Sequence, residues 1–161
     1  RKQLTRRPIT PSEMPPATFE ELRQTLRSGH VSLDDFGVPE PVIVAAEREV
    51  GLPFPPSYRW FLANHGLGSY RDYPLLGLGC PFEGEPCPEE YDVLAYHRGN
   101  LSLDWDPQHL LVLTAAEGDE VYYLALNEPG PTGECPVYLW PDHENYASSY
   151  GGFLFRLSRQ G

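Results

Sequence analysis

Between Pro41 and Gly68 the chain reads PVIVAAEREVGLPFPPSYRWFLANHGLG, and no other stretch restricts the fold as tightly. Ile43, Val44 and Val50, with Ala45 and Ala46 between them, predict a short helix with one buried stripe. Gly51 stands where a helix C-cap needs positive φ at no steric cost. Leu52-Pro53-Phe54-Pro55-Pro56 cannot prolong that helix, because proline lacks the N–H and restricts the residue before it. A second helix follows over Tyr58 to Asn64, with Ser57 as its N-cap or Pro56 as its start, Phe61 and Leu62 facing inward, and Gly66 ending it. The chain is therefore committed to two helices joined by a rigid proline elbow.

Upstream, residues 1–17 mix Arg1, Lys2, Arg6 and Arg7 with Pro8, Pro11, Pro15 and Pro16, which reads as a flexible basic arm. Thr18-Phe19-Glu20-Glu21 opens a helix with a capping box, Thr18 as N-cap and Glu21 three residues on. Phe19, Leu22 and Leu26 share its face, and Gly29 closes it. Val31 to Val38 reads as a connector with a turn at Asp34, Asp35 and Gly37. Residues 18–161 are expected to form a single domain.

After Gly68 the pattern shortens. Tyr73 to Leu78 reads as a short strand interrupted by Pro74 and Gly77, and Cys80 to Pro88 as a loop. Glu89 to Asn100 reads as a helix with Tyr91, Leu94 and Ala95 inward, a strand over Asp92 to Tyr96 being the competing reading. Leu110-Leu111-Val112-Leu113 has the continuous apolar character of a strand buried on both faces. Glu117 to Glu120 makes a turn into a strand over Val121 to Leu126. Pro136 to Trp140 is a further strand, with Pro136 at a strand end or sheet edge. Tyr146 to Leu157 is read as a closing helix burying Phe153, Leu154 and Leu157, weakened by Gly151-Gly152. Helices, then strands, then a helix predict an α+β fold, with N-terminal helices and a C-terminal helix packed on a mostly antiparallel β-sheet.

Several spaced features of the elbow resemble the signature of the SUKH superfamily, which includes fungal cell-wall-synthesis regulators and many bacterial immunity proteins. They are Glu47, the Gly51-Leu52-Pro53 turn, Pro56-Ser57-Tyr58-Arg59, Phe61-Leu62, and the ending Asn64-His65-Gly66-Leu67-Gly68. Later segments are similar too: an acidic glycine turn at Glu117-Gly118-Asp119, and Val137-Tyr138-Leu139-Trp140-Pro141-Asp142-His143-Glu144. The likeness spans residues 18–158. It departs at Glu120-Val121, where many relatives carry an extra glycine. By this resemblance Glu47, Gly51, Leu52, Pro53, Pro56, Tyr58, Phe61, Leu62 and Gly66 are structural positions.

Charge narrows the partners. The net charge is −11, and without the four cations of the first seven residues it is −15. Such a body repels nucleic-acid phosphates and anionic membranes and favours encounter with a basic protein. No apolar run approaches the roughly 20 residues that span a bilayer, and no secretory leader is recognisable. The chain begins at Arg1 rather than Met, as a fragment or a processed chain would. Three cysteines, Cys80, Cys87 and Cys135, cannot all pair within one chain and read as reduced thiols in a cytoplasmic setting.

No motif for chemistry emerges. The histidines lack a His-Glu-x-x-His spacing. Cys80 and Cys87 are wider apart than a zinc knuckle, and a site built with His97 and Cys135 is outweighed by core or surface thiols. Gly77, Gly79 and Gly84 lack the lysine and helix start of a phosphate loop. His143 between Asp142 and Glu144 reads as a capped turn. No catalytic residue, metal or cofactor is assigned.

A binding surface remains: aromatics beside acids, the composition that anchors an interface with a cationic protein. Four candidates follow, each with a solvated turn as its plain alternative: Tyr70, Asp72 and Tyr73; Asp104, Trp105 and Asp106; Glu117, Asp119 and Glu120; Asp142 and Glu144. The resemblance implies that such a surface neutralises a cognate toxin, often a nuclease or deaminase, by direct binding. The expected partner is a basic toxin domain. The alternatives are a regulatory scaffold like the fungal members and, last, a small hydrolase. The oligomeric state stays open.

Overall fold

The computed structural model describes residues 18–27, 29–80 and 85–160, with only the backbone of Glu117. The arm at 1–17 and part of the Cys80 to Pro88 loop lie outside these. Five helices, α1 (Phe19–Leu26), α2 (Glu40–Val50), α3 (Pro56–Asn64), α4 (Val93–Asn100) and α5 (Tyr150–Arg159), accompany seven strands. The strands are β1 (Val31–Leu33), β2 (Gly68–Tyr70), β3 (Tyr73–Leu75), β4 (His109–Ala115), β5 (Glu120–Ala125), β6 (Val137–Trp140) and β7 (Glu144–Ala147). They form one antiparallel sheet in the order β1-β2-β3-β4-β5-β6-β7, each strand beside its chain neighbour. The α+β arrangement expected from the sequence is the one found.

The helix starts follow cap chemistry. Thr18 accepts the Glu21 N–H at 3.1 Å and opens α1, and Gly51 ends α2 at φ 93°. For α3 the start at Pro56 holds and Ser57 is not the N-cap. Instead a distant carboxylate caps this helix. Glu134 takes the Ser57 N–H at 3.1 Å and its hydroxyl at 2.7 Å, and the Ser57 oxygen accepts the Gly151 N–H at 3.0 Å. One acid thus ties the N-terminus of α3 to the first turn of α5.

At the elbow, the half-buried Glu47 accepts the Phe54 N–H at 2.6 Å and two Arg59 nitrogens at 3.1 and 3.0 Å. Arg59 also grips Glu40. Burial opposes ionisation of Glu47, yet Arg59 and the Phe54 N–H outweigh it and hold the carboxyl below its usual range. This glutamate therefore pins the proline turn to both helices. Below it Tyr58, Phe61, Tyr150 and Phe153 pack ring on ring, all fully buried, and the Tyr58 hydroxyl donates to the Leu76 carbonyl at 2.8 Å.

Several expectations need correction. The Val31 to Val38 connector contains β1, and Gly68–Tyr70 is a strand rather than the tail of the elbow. Gly29 does not close α1, which ends at Leu26. In α4, Val93 and His97 are the buried residues, while Tyr91, Leu94 and Ala95 are half-exposed. The cause is Asp92, whose Oδ1 accepts the N–H groups of Leu94 and Ala95 at 2.9 and 3.3 Å. It restarts the helix after a 3-10 turn at Glu89–Tyr91 and so shifts its inward face. Glu144–Ala147 is β7, so α5 begins later, where Ser149 accepts the Gly152 N–H at 2.9 Å. Of the two readings of Pro136, the strand end holds, since it immediately precedes β6, and the sheet edge does not, since β6 is an inner strand.

Burial also sets a pH dependence. His65, His97 and His109 are all held below the ordinary 6.5, in each case chiefly by burial. The unfolded chain therefore takes up protons first as pH falls, so stability is full above 6.5 and is lost below it. Each such group contributes up to about 1.4 kcal/mol per pH unit. A fall of several degrees in Tm between pH 7.5 and 5.5 is expected by calorimetry, with a shallower slope in His97→Gln.

Candidate functional site

In an antiparallel meander every second turn emerges at the same end of the sheet. The β2–β3, β4–β5 and β6–β7 turns therefore share one end. Three of the four acidic candidates lie in these turns; the first two turns border one cleft, while His143 of the third turn reaches Tyr123 and lies 6.4 Å from His109. Asp72 lies in the first turn, Asp119 with Glu120 in the second, and Asp142 with Glu144 in the third. Asp72, Asp119, Asp142 and Glu144 are exposed and Glu120 is half-exposed. Of Glu117 only the backbone is described, in the short 3-10 turn Ala116–Gly118.

Each of these turns also holds one non-glycine residue at positive φ: Arg71 at 55°, Ala116 at 49° and His143 at 55°. Among the described residues no other non-glycine position has positive φ. Conformations of this kind cost energy and persist where the surrounding structure over-determines them. The register explains the convergence. Leu75 pairs with Leu113, which brings Tyr73 beside Ala115 and the first turn against the second. Between them lies a cleft of about 490 Å³ lined by Tyr70, Arg71, Asp72, Tyr73, Ala115, Ala116 and Glu120.

Tyr70 departs from its expected place. It is only 4% exposed and belongs to the core, so it floors the cleft rather than projecting from the surface. Tyr73 is half-buried at the rim. Trp140 was assigned only a strand role, yet it is 44% exposed and lies opposite Val121, next to Glu120. Period-two alternation from the buried Val137 carries no clear warning of this, because Tyr138 and Leu139 are both half-buried. The signal was the following proline, which ends the strand.

The remaining candidate, Asp104, Trp105 and Asp106, precedes β4 and is linked to the third turn through Tyr123 and His143. Trp105 is half-buried, donates its indole N–H to the His109 carbonyl at 2.8 Å, and meets Tyr123 edge-on at 5.7 Å. Asp106 accepts the Gln108 N–H at 2.9 Å. Tyr123 is the hub of this region. His109 stacks on it at 4.4 Å, Tyr138 lies at 5.7 Å, and its hydroxyl hydrogen-bonds His143 Nδ1. Burial pushes the Tyr123 phenol up to about 12, so it stays protonated at neutral pH.

As for chemistry, among the described residues no group of three or more His, Cys, Asp or Glu is placed to hold a metal ion. Burial pushes the Cys87 thiol up to about 12 and that of Cys135 to about 11, the opposite of what an activated nucleophile needs. No helix among the described residues is long and apolar enough to cross a membrane. The arrangement offers carboxylates, rings and a shallow cleft, which is equipment for non-covalent recognition.

A family model for the SMI1 / KNR4 family (SUKH-1) matches residues 37–154, from just before α2 into α5. The match takes in the elbow and all three of these turns. No curated protein matches the chain.

Proposed function

The chain belongs to the SMI1 / KNR4 family (SUKH-1), and from that premise we propose that it is a non-catalytic protein-binding domain of the immunity type. It neutralises a cognate toxin, of the kind that is often a nuclease or deaminase, by covering that protein's basic surface. The observation that carries this reading is that Asp72, Asp119, Glu120, Asp142 and Glu144 lie in or beside turns at one end of the sheet, with Tyr73 and Trp140 flanking the first and third of those turns. Enzymes that grip phosphates are basic where they do so, and an acidic cap occupies the same surface. Exposed rings beside the acids supply apolar anchoring that charge alone lacks. Asp104, Trp105 and Asp106 adjoin the third of these turns through Tyr123, whose ring meets Trp105 and whose hydroxyl meets His143.

The test is titration of the product of the adjacent gene, assayed for toxin activity. Excess protein is expected to abolish toxin activity and to co-purify with it. A toxin that stays fully active in the presence of excess protein would sink the reading. The triple variant Asp119→Lys, Glu120→Lys, Asp142→Lys is expected to lower the association rate at least roughly tenfold at low salt and to flatten its salt dependence. Stopped-flow association at two ionic strengths reads both.

A further inference from the structure

Resting on the protein-binding reading above, we propose that the partner docks across the face of β5 and β6 that turns away from α5, and that the protein surface it brings is cationic. Rings, rather than the turn tips alone, form the centre of that interface.

Strand alternation defines the face. Tyr122 points to the helical side, where its ring meets Phe153 of α5 at 5.4 Å. Successive strand residues point to opposite faces, so Tyr123 belongs to the other side. The rings that meet it there come from strands and loops: Trp105 at 5.7 Å, His109 at 4.4 Å, Tyr138 at 5.7 Å and His143 at 5.7 Å. Tyr138 lies directly opposite Tyr123, and Trp140 lies opposite Val121, two residues along each strand. Trp140 therefore extends the same band of rings.

An antiparallel sheet with one solvated face ordinarily turns polar residues outward. This one does not. β5 is buried from Val121 to Ala125, and Tyr123, only 2% exposed, is closed over by the neighbouring rings. Those covering rings are themselves left half-buried or exposed, with Trp140 at 44%. Leu103, two residues ahead of Trp105, is 69% exposed, the highest value of any large apolar side chain among the described residues. Rings that combine apolar faces with a polar edge are the material of interface cores.

Charge decides what covers them. Between Arg98 and Arg156 the chain has no lysine or arginine and nine carboxylates, and β4 to β7 all lie in that segment. The two bounding arginines are engaged elsewhere. Arg98 pairs with Glu49 of α2, and Arg156 donates to the Tyr146 carbonyl at 2.7 Å. Exposed acids rim the band: Glu128 accepts the Tyr138 hydroxyl at 2.7 Å, and Asp106 lies 3.6 Å from His109 Nε2. A neutral or acidic surface laid here would bury these carboxylates without a counter-charge, which is costly. A cationic surface pairs with them and is steered toward them.

The probe is the product of the adjacent gene, mixed with the full chain and mapped by hydroxyl-radical footprinting with mass spectrometry. Oxidation of Tyr138, Trp140 and His143 is expected to fall severalfold in the complex, while Phe19 and Trp60 on the helical side stay unchanged. Trp140→Ala removes an exposed ring and should weaken affinity by roughly tenfold or more, read by calorimetry. Glu128→Lys should slow association severalfold at low salt. Val42→Ala, at a comparably exposed apolar position on α2, should change neither. Protection centred on another face, or unchanged affinity in both Trp140→Ala and Glu128→Lys, would overturn the proposal while the neutralising reading stands. A product that binds no form of the chain would overturn both.

Discussion

Gly77→Ala is expected to remove the folded protein altogether. A Cβ at this position would lie 1.8 Å from the carbonyl oxygen of Gly66 and 2.9 Å from its carbon. Both are backbone atoms, and neither has room to yield. Gly66 itself is at φ 73° and packs against the Phe36 carbonyl, which also touches Gly79. Three glycines thus bring the end of α3, the segment after β3 and the chain after β1 into backbone contact. The same segment is held by the Gly77 N–H to the Tyr91 carbonyl at 2.7 Å and by Val93 to Gly77 at 3.0 Å. Separating these backbones breaks several hydrogen bonds at once, at a cost of more than about 4 kcal/mol against a typical total of 5–15. The readout is loss of amide dispersion or of soluble protein on expression. Gly99→Ala is the matched control, because its Cβ would meet nothing within 4 Å. It sits in α4 and should gain about 0.5–1 kcal/mol from helix propensity. If Gly77→Ala folds with an unchanged urea midpoint, the close approach has been misjudged.

Glu47→Ala has the next largest expected effect. The substitution strands the Phe54 N–H and leaves Arg59 with only the exposed Glu40. Since the Glu47 side chain is 15% exposed, its partners are screened only in part. A loss of about 2–4 kcal/mol is expected, between the cost of one unsatisfied donor and that of a broken buried pair. Glu47→Gln keeps an acceptor for Phe54 and should lose about half as much. The stabilisation from the ionised carboxylate is full above the ordinary 4.5 and disappears as acidification passes its lower folded value. The gap between wild type and Glu47→Gln should therefore narrow in acid. Urea midpoints at pH 7 and pH 4 measure both effects, and a constant gap would refute the charge contribution.

What could be read from the residues alone follows from how local each signal is. The elbow was legible because Gly51, Pro53, Pro55 and Pro56 act within a few residues of themselves. Thr18 and the apolar run at Leu110 were legible for the same reason. β1 and β2 were missed because three residues are too few to show alternation, and Gly68 looks like a turn residue until Leu75 is seen opposite it. Gly77 read as an interruption, since the atom that forbids a side chain there is eleven residues away. The acidic turns were individually visible. Their placement at one end of the sheet was not, because it depends on strand order, and neither was the burial of Tyr70, which depends on what packs over it. Glu134 as a cap for α3 is the extreme case, with 77 residues separating it from Ser57.

The sheet has no crossover anywhere in its described course, and this has an evolutionary corollary. Each hairpin closes on its own neighbour, so loop tips at the end that carries the acidic turns can change length or composition without re-threading the strands beneath. Descendants of one ancestor can therefore drift toward different targets while inheriting the same interior.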